Sequence, residues 1–322
     1  MGDEFDIGSR ASAVESPQIL TVLPYIAKRF PQTITDARGK LIYHYTTSNG
    51  LVGMLQNGSI WASNYAFLND PSERIHCITK AKEAMNKVQN GRSELVKEML
   101  NQLRSELDGE GGWTEYIASF CENGDLLSQW RAYAAGASGY SVGFDAERLR
   151  GNLAQTARLE KVIYDSELQL EILINVCEII AEFVENEFRN NGNIVETMLD
   201  FYASQFVNII WSLCSKMKHE AYSEEKEWRL VFMKPSRNDG ETRIFDEHVH
   251  FRARGSTIVP YVNIPFGEPR NIQDHEEYYP VRRIVIGPTE NSGVAKKGVE
   301  LLCESINRKI TVASSSIPAR QF

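Results

Sequence analysis

The sequence predicts an α+β fold built on a mixed, mainly antiparallel sheet with added long helices. Three observations lead there. β-prone runs come in pairs and groups instead of alternating strictly with helices. Two long stretches, about 166–189 and 194–219, carry apolar residues at helical spacing. No internal repeat or low-complexity linker divides the 322 residues. The expected organisation is an N-terminal tail and arm over 1–40, then one domain over 41–322 with a helical insertion at about 166–219. The composition, 42% hydrophobic and 24% charged, is that of a globular chain.

The elements follow in order. Residues 1 to about 20 are polar and aperiodic, a loose tail, and 21–32 read as a short helix or arm. LIYHYT (41–46) is β-prone. SNGLVGMLQNG follows with Leu51, Met54 and Leu55 at helical spacing, a start capped by Ser48 or Asn49 and a stop at Gly58. SIWASN reads as a second strand and FLNDPSE as a turn. Residues 72–107 suggest one or two surface helices with Ile75, Ile78, Ala81 and Ala84 along one face. EYIASFCEN (115–123) is a strand, LLSQWRAYA (126–134) a short helix, and AAGASGYSVGFD returns through glycines into another strand. KVIYD (161–165) is expected to be a strand before the two long helices, the first of which sets Leu170, Leu173, Ile174 and Cys177 on one face. EWRLVFM, HVHFRAR and TIVPYVNIPF make a β-rich stretch. RRIVIGP, a helix over 292–308 and ITVASSS close the chain as strand–helix–strand.

Bulk properties narrow the function. A net charge of −8 disfavours non-specific nucleic-acid binding through overall charge, while leaving room for a local basic groove. The five cysteines, Cys77, Cys121, Cys177, Cys214 and Cys303, are scattered and odd in number. No two have metal-ligand spacing, so free, mostly buried thiols in a reducing compartment are expected. The opening MGDEFDIGSR lacks a secretory pattern, its sixth residue disfavours myristoylation, and no run approaches the ~18 apolar residues of a membrane span. A soluble, cytoplasmic protein without a membrane partner is the expectation.

Four segments could carry chemistry. In Tyr43-His44-Tyr45-Thr46 the histidine sits in a strand among hydroxyls, able to grip a ribose or a base edge, or to be satisfied within the core. In Asn69-Asp70-Pro71-Ser72-Glu73 the residues suit a helix cap, or place Asn69 or Glu73 on a cleft rim. In Ser128-Gln129-Trp130-Arg131-Ala132-Tyr133, Trp130 and Tyr133 share one helical face and Ser128 and Arg131 another. With Gly136, Gly139 and Gly143 following, rings could stack on a base while the guanidinium forks a phosphate; a Trp anchor in the core is the other reading. The glycines do not match a Rossmann or P-loop fingerprint. In Glu224-Glu225-Lys226-Glu227-Trp228-Arg229, Glu227 and Arg229 share one face of a strand, away from Trp228, Leu230 and Phe232. They form either a solvated ion pair on an edge strand or part of a cleft; Glu224 and Glu225 look like solvated loop charges.

Together these segments resemble a bacterial family known as domain of unknown function 2971. The resemblance rests on YHYTTSNGLVGMLQNGSIWASNYAFLNDPSE, SFCENGDLLSQWRAYAAGASGYSVGFD and EKEWRLVF, within residues 41–235. The opening is also similar, more distantly, to the ADP-ribosyltransferase superfamily, including DarT-like toxins and RNA 2′-phosphotransferases, which begin with a strand bearing Tyr-His-x-Thr. That superfamily sets a His or Arg on the first strand, an aromatic or Ser in the middle and a late Glu, the order of His44, Tyr133 and Glu227; SQWRAY departs from its standard middle motifs. The resemblance implies a sheet of ADP-ribosyltransferase type and an NAD-consuming enzyme of bacterial toxin or antiviral defence character. An antitoxin or defence-system partner and a nucleic-acid or protein acceptor would go with it.

The chemistry implied is cleavage of nicotinamide from NAD through an oxocarbenium-like ribose. Glu227 would stabilise the positive charge, His44 would hold the adenosine-side ribose, and Tyr133 or Trp130 would stack on nicotinamide. Arg131 or Arg229 would meet the pyrophosphate, with Tyr43, Thr46, Asn69 and Ser128 lining the nucleotide. No metal is needed. Without an acceptor the same site would be an NAD glycohydrolase. Two other classes compete: a Mg²⁺ nuclease using Asp70, Glu73 and Glu227, and a non-catalytic nucleotide or nucleic-acid sensor stacking bases on Trp130 and Tyr133.

Overall fold

The structure is a computed structural model that describes residues 22–31, 35–68, 72–109, 113–134, 139–153, 157–191, 196–235, 248–267 and 278–318. The loose tail expected over 1–20 lies outside these residues. Among the described residues, ten strands form one sheet. They are β1 (Leu41–Thr46), β2 (Ser59–Asn64), β3 (Trp113–Cys121), β4 (Tyr140–Asp145), β5 (Arg158–Lys161), β6 (Glu227–Pro235), β7 (Val249–Arg254), β8 (Thr257–Pro265), β9 (Val281–Ile286) and β10 (Thr311–Ser314). The order runs β10-β9-β4-β1-β3-β2-β8-β7, with β6 on β3 and β5 on β6. Every pairing is antiparallel except β9 with β10, so the sheet is mixed and mostly antiparallel. β6 runs along the whole of β3. β1 meets β3 at Cys121, and β2 meets it at Ile117 and Tyr116.

The helices are α1 (Val22–Arg29), α2 (Ser48–Asn57), α3 (Ser72–Val88), α4 (Glu94–Asp108), α5 (Leu127–Tyr133), α6 (Ala146–Leu153), α7 (Ser166–Asn191), α8 (Glu196–Cys214) and α9 (Ser292–Ser305). The strand–helix–strand at 41–64 forms as the sequence predicts. The cap of α2 is Thr47, one residue earlier than expected, with its side chain accepting from Gly50 N, and Gly58 closes the helix at φ 60°. KVIYD corresponds to β5 ending at Lys161 plus a single bridge from Ile163 to Met217, and α6 is an element that the sequence reading did not anticipate.

Two apolar layers explain the architecture. One face of the sheet buries Ile42, Ile60, Phe120, Phe144, Trp228 and Leu230 against α2, α6 and α9. A separate helical core joins α1, α3, α4, α7 and α8, so the two long helices pack with the helices of 72–108. Those are not surface helices: α4 buries Val96, Met99, Leu100, Leu103 and Leu107. Ala81 and Ala84 are buried as expected, but Ile75 is 64% exposed, and Cys77 and Met85 take its place on the buried face. Expected free thiols are found at Cys121, Cys177 and Cys303, all buried. Cys77 and Cys214 instead form a disulfide across α3 and α8. Their separation of 137 residues hid this pairing, which only the packing of the two helices creates.

Candidate functional site

Trp228 and Leu230 are committed to the apolar layer, so alternation along β6 turns Glu227 and Arg229 to the opposite face, toward the helices. There Arg229 donates from Nε to Glu227 Oε1 at 2.9 Å and from Nη2 to Glu227 Oε2 at 3.0 Å. The same Nη2 donates to Glu73 Oε2 at 2.6 Å, and Nη1 donates to the Ser215 carbonyl at 3.0 Å. Glu73 stands in the first turn of α3. Lys218, just past α8, completes the cluster with Nζ 3.0 Å from Glu73, 3.1 Å from Glu227 and 2.6 Å from Glu225. The Cys77–Cys214 disulfide ties together the two helices that deliver Glu73 and Lys218. A cavity of about 330 Å³ lies beside the cluster, between α3, the start of α7 and the turn after α8, with His76, Lys80 and His219 in its walls.

The cluster holds two cations, Arg229 and Lys218, against three carboxylates, Glu73, Glu225 and Glu227, so its formal charge is 2 − 3 = −1. Burial pushes the Glu227 carboxyl up, but Arg229 and Lys218 outweigh it and hold the group down at about 2. Burial lowers the Lys218 ammonium, yet Glu227 and Glu73 more than restore it, so it stays charged. The expectation of an edge-strand pair with a solvated rim is therefore corrected: β6 is flanked by β3 and β5, and Glu227 and Arg229 are 4% and 1% exposed. Glu225, expected in solvent, is held by Lys218, whereas Glu224 is exposed.

The cluster shades into a second polar layer that the sequence reading missed. Glu115 is buried on β3, with Oε1 lacking a hydrogen-bond partner. Burial pushes its carboxyl up to about 7 against the pull of Arg158, Arg229 and Arg74. Two further buried atoms without a partner are Tyr65 Oη and Trp211 Nε1, and Arg74 stacks over the Trp211 ring at 4.2 Å. Alternation within EYIASF already set Glu115 on the face of Ser119; nothing local in the sequence pointed to Lys218.

The proposed nucleotide residues divide. His44 Nδ1 is 2.9 Å from the Ser119 carbonyl, and its ring meets Phe120 edge-on at 5.7 Å. Burial holds its pKa down at about 4, so the ring is neutral near pH 7. His44 pairs with Val142 and Tyr43 with Cys121, while Cys121 pairs with Glu227. Alternation thus puts His44 on the pleat opposite Glu227, and the expectation that the two share one cavity is not met. Ser119 reaches both: its carbonyl contacts His44, and its side chain bonds Glu227. Tyr43 is packed with Tyr45 and Trp130 in a small core of its own, and Thr46 is half-buried at the end of β1.

Trp130 is fully buried, meeting Tyr45 edge-on at 4.7 Å and donating Nε1 to Asp125. It cannot stack on nicotinamide or on a base, because its faces are already covered. Tyr133 packs beside it, half-buried, while Ser128 and Arg131 lie on the exposed face of α5, as their spacing predicts. Gly139 and Gly143 serve close packing: a Cβ at Gly143 would stand 2.8 Å from the Tyr43 ring, and one at Gly139 2.4 Å from the Thr46 carbonyl. Asn69, Asp70 and Gly136 lie outside the described residues. Glu73 and Glu227, two of the three carboxylates of the nuclease expectation, direct their oxygens to Arg229 and Lys218. Among the described residues no group of three or more His, Cys, Asp or Glu could hold a metal, and no helix is long and apolar enough to cross a membrane.

The chain matches no curated protein and no solved structure. Residues 129–230, from Gln129 of α5 to Leu230 of β6, do match a family model. That stretch takes in most of SQWRAY and the Glu225-Lys226-Glu227 run but leaves out the His44 segment. The family that the chain matches over these residues is the one described as protein of unknown function, DUF2971.

Proposed function

We propose that the protein is an NAD-consuming enzyme of ADP-ribosyltransferase type, with Glu227 as the carboxylate that stabilises positive charge on the ribose. The observation that supports this reading is a buried, ionised Glu227 at the head of β6, held by the Arg229 guanidinium. An oxocarbenium-like transition state needs a fixed negative charge, and a carboxylate held at about 2 retains it at any physiological pH. Glu73 and Lys218 cover Glu227 in the present arrangement, so nucleotide entry requires α3 and the segment after α8 to draw back. Arg229, released from Glu73, then supplies a guanidinium fork for the pyrophosphate. Ser119 positions rather than reacts.

The test is nicotinamide release from NAD by the purified protein, followed chromatographically with water, protein extract or nucleic acid as acceptor. Release is expected to persist in EDTA and to fall roughly a hundredfold in Glu227→Gln, the scale of losing one electrostatic stabiliser. Both proteins are compared at a temperature where circular dichroism shows them folded. Absence of nicotinamide release from the unmodified protein with every acceptor refutes the reading.

A further inference from the structure

The sheet face that carries Arg229 bears a second constellation, on β2, β8 and β7, that the buried cluster does not use. Cross-strand pairing sets Trp61 opposite Asn263, Ser63 opposite Tyr261, and Tyr261 opposite His250. Alternation adds Arg252 and Arg254 to the same pleat. The Trp61 and Tyr261 rings have centroids 4.9 Å apart at 37°, and His250 lies 5.6 Å from Tyr261 at 40°. The Arg252 guanidinium sits 5.7 Å from the Trp61 centroid, anchored by Nη2 donating to Ser63 Oγ at 2.8 Å, while its buried Nε has no partner. Arg254 donates to the Phe67 carbonyl at 2.7 Å, holding it at the rim.

The opposite pleat explains why these rings are not core. Ile60, Ala62, Val262 and Ile264 fill the apolar layer from the same strands. Trp61 and Tyr261 are therefore left half-buried, with His250, Asn263 and Arg254 exposed beside them. Within the strands β2, β7 and β8 themselves there is no Asp or Glu. Burial and the neighbouring Arg254 both lower the pKa of Arg252.

Aromatic rings lying on a sheet surface among arginines suit a ligand whose flat bases alternate with anionic phosphates. Bases of a duplex are stacked on one another and offer no free face. We propose that this face binds single-stranded nucleic acid, with bases stacking on Trp61 and Tyr261 and phosphates meeting Arg252 and Arg254. The inference stands apart from the NAD reading, since it uses none of the residues of the Glu227 cluster.

The experiment is fluorescence anisotropy of the full chain with fluorescein-labelled oligothymidylate and oligouridylate, with a duplex of equal length as comparator. Single strands are expected to bind at least about tenfold tighter than the duplex, and Tyr261→Leu or Trp61→Leu to weaken them about tenfold, the scale of one lost stacking contact. With two phosphates neutralised, raising salt from about 50 to about 200 mM should weaken binding about sevenfold. Arg254→Gln and His250→Gln, at exposed positions, decide the matter if either ring substitution fails to fold. The proposal is overturned by absence of binding at about 100 µM protein and low salt. It is equally overturned by equal binding of the duplex, or by single-strand binding that these four variants leave unchanged.

Discussion

Replacing Glu227 with glutamine keeps the side-chain shape and removes one negative charge from a cluster almost closed to water. Glu227 accepts two hydrogen bonds from Arg229 and one from Lys218 at 2.9–3.1 Å. Its carboxyl is held at about 2, well below an ordinary 4.5. At about 1.36 kcal/mol per unit this amounts to roughly 3 kcal/mol of differential stabilisation of the charged form, near the ~3–5 kcal/mol cost of breaking a buried ion pair. A folded-state pKa that is depressed contributes stability that is fully present above the unfolded value and is lost as pH falls through the folded value. The difference between the two proteins should thus be about 3 kcal/mol at pH 7 and shrink between pH ~4.5 and ~2. Urea unfolding followed by circular dichroism at several pH values measures it, with Glu224→Gln as an exposed control expected within about 0.5 kcal/mol. A cost at pH 7 below ~1 kcal/mol, or one that does not change on acidification, refutes the assignment of Glu227 as a charged anchor.

Two further outcomes follow from the same layer. Glu115 is held up at about 7, so its burden on stability is absent below about 4.5, grows as pH rises from there and is complete above about 7. Glu115→Gln should therefore leave stability nearly unchanged at pH 4 and raise it by up to about 3 kcal/mol at pH 8.5, as read by urea melts; an equal difference at both pH values contradicts this. Reducing the Cys77–Cys214 disulfide, or replacing both residues with alanine, opens a loop of 137 residues and should lower stability by up to about 5 kcal/mol in the chain-entropy account. An unchanged melting temperature with and without reductant would show that the bond does not form.

Period and punctuation along the chain suffice to define the local pieces. Glu227 and Arg229 could be placed on one pleat, away from Trp228 and Leu230, because side chains alternate along any strand. Trp130 and Tyr133 on one face of α5, with Ser128 and Arg131 on the other, follow as directly from the helical repeat. The start of β1, α2 and β2 was legible from the apolar spacing of Leu51, Met54 and Leu55 and the stop at Gly58. Tertiary structure decided what each face meets. Whether the Glu227 face is solvent or a closed polar layer depends on α3 and the segment after α8, delivered from 154 residues upstream at Glu73 and 9 upstream at Lys218. Trp130 could have been a stacking platform or an anchor; Asp125 and Tyr45 make it an anchor. His44 and Glu227 were expected to converge, yet the register of β1, β3 and β6 sends them to opposite pleats around Ser119. Registers and disulfide partners are set by which distant surfaces pack together, and periodicity along one segment carries no information about its neighbour across the sheet.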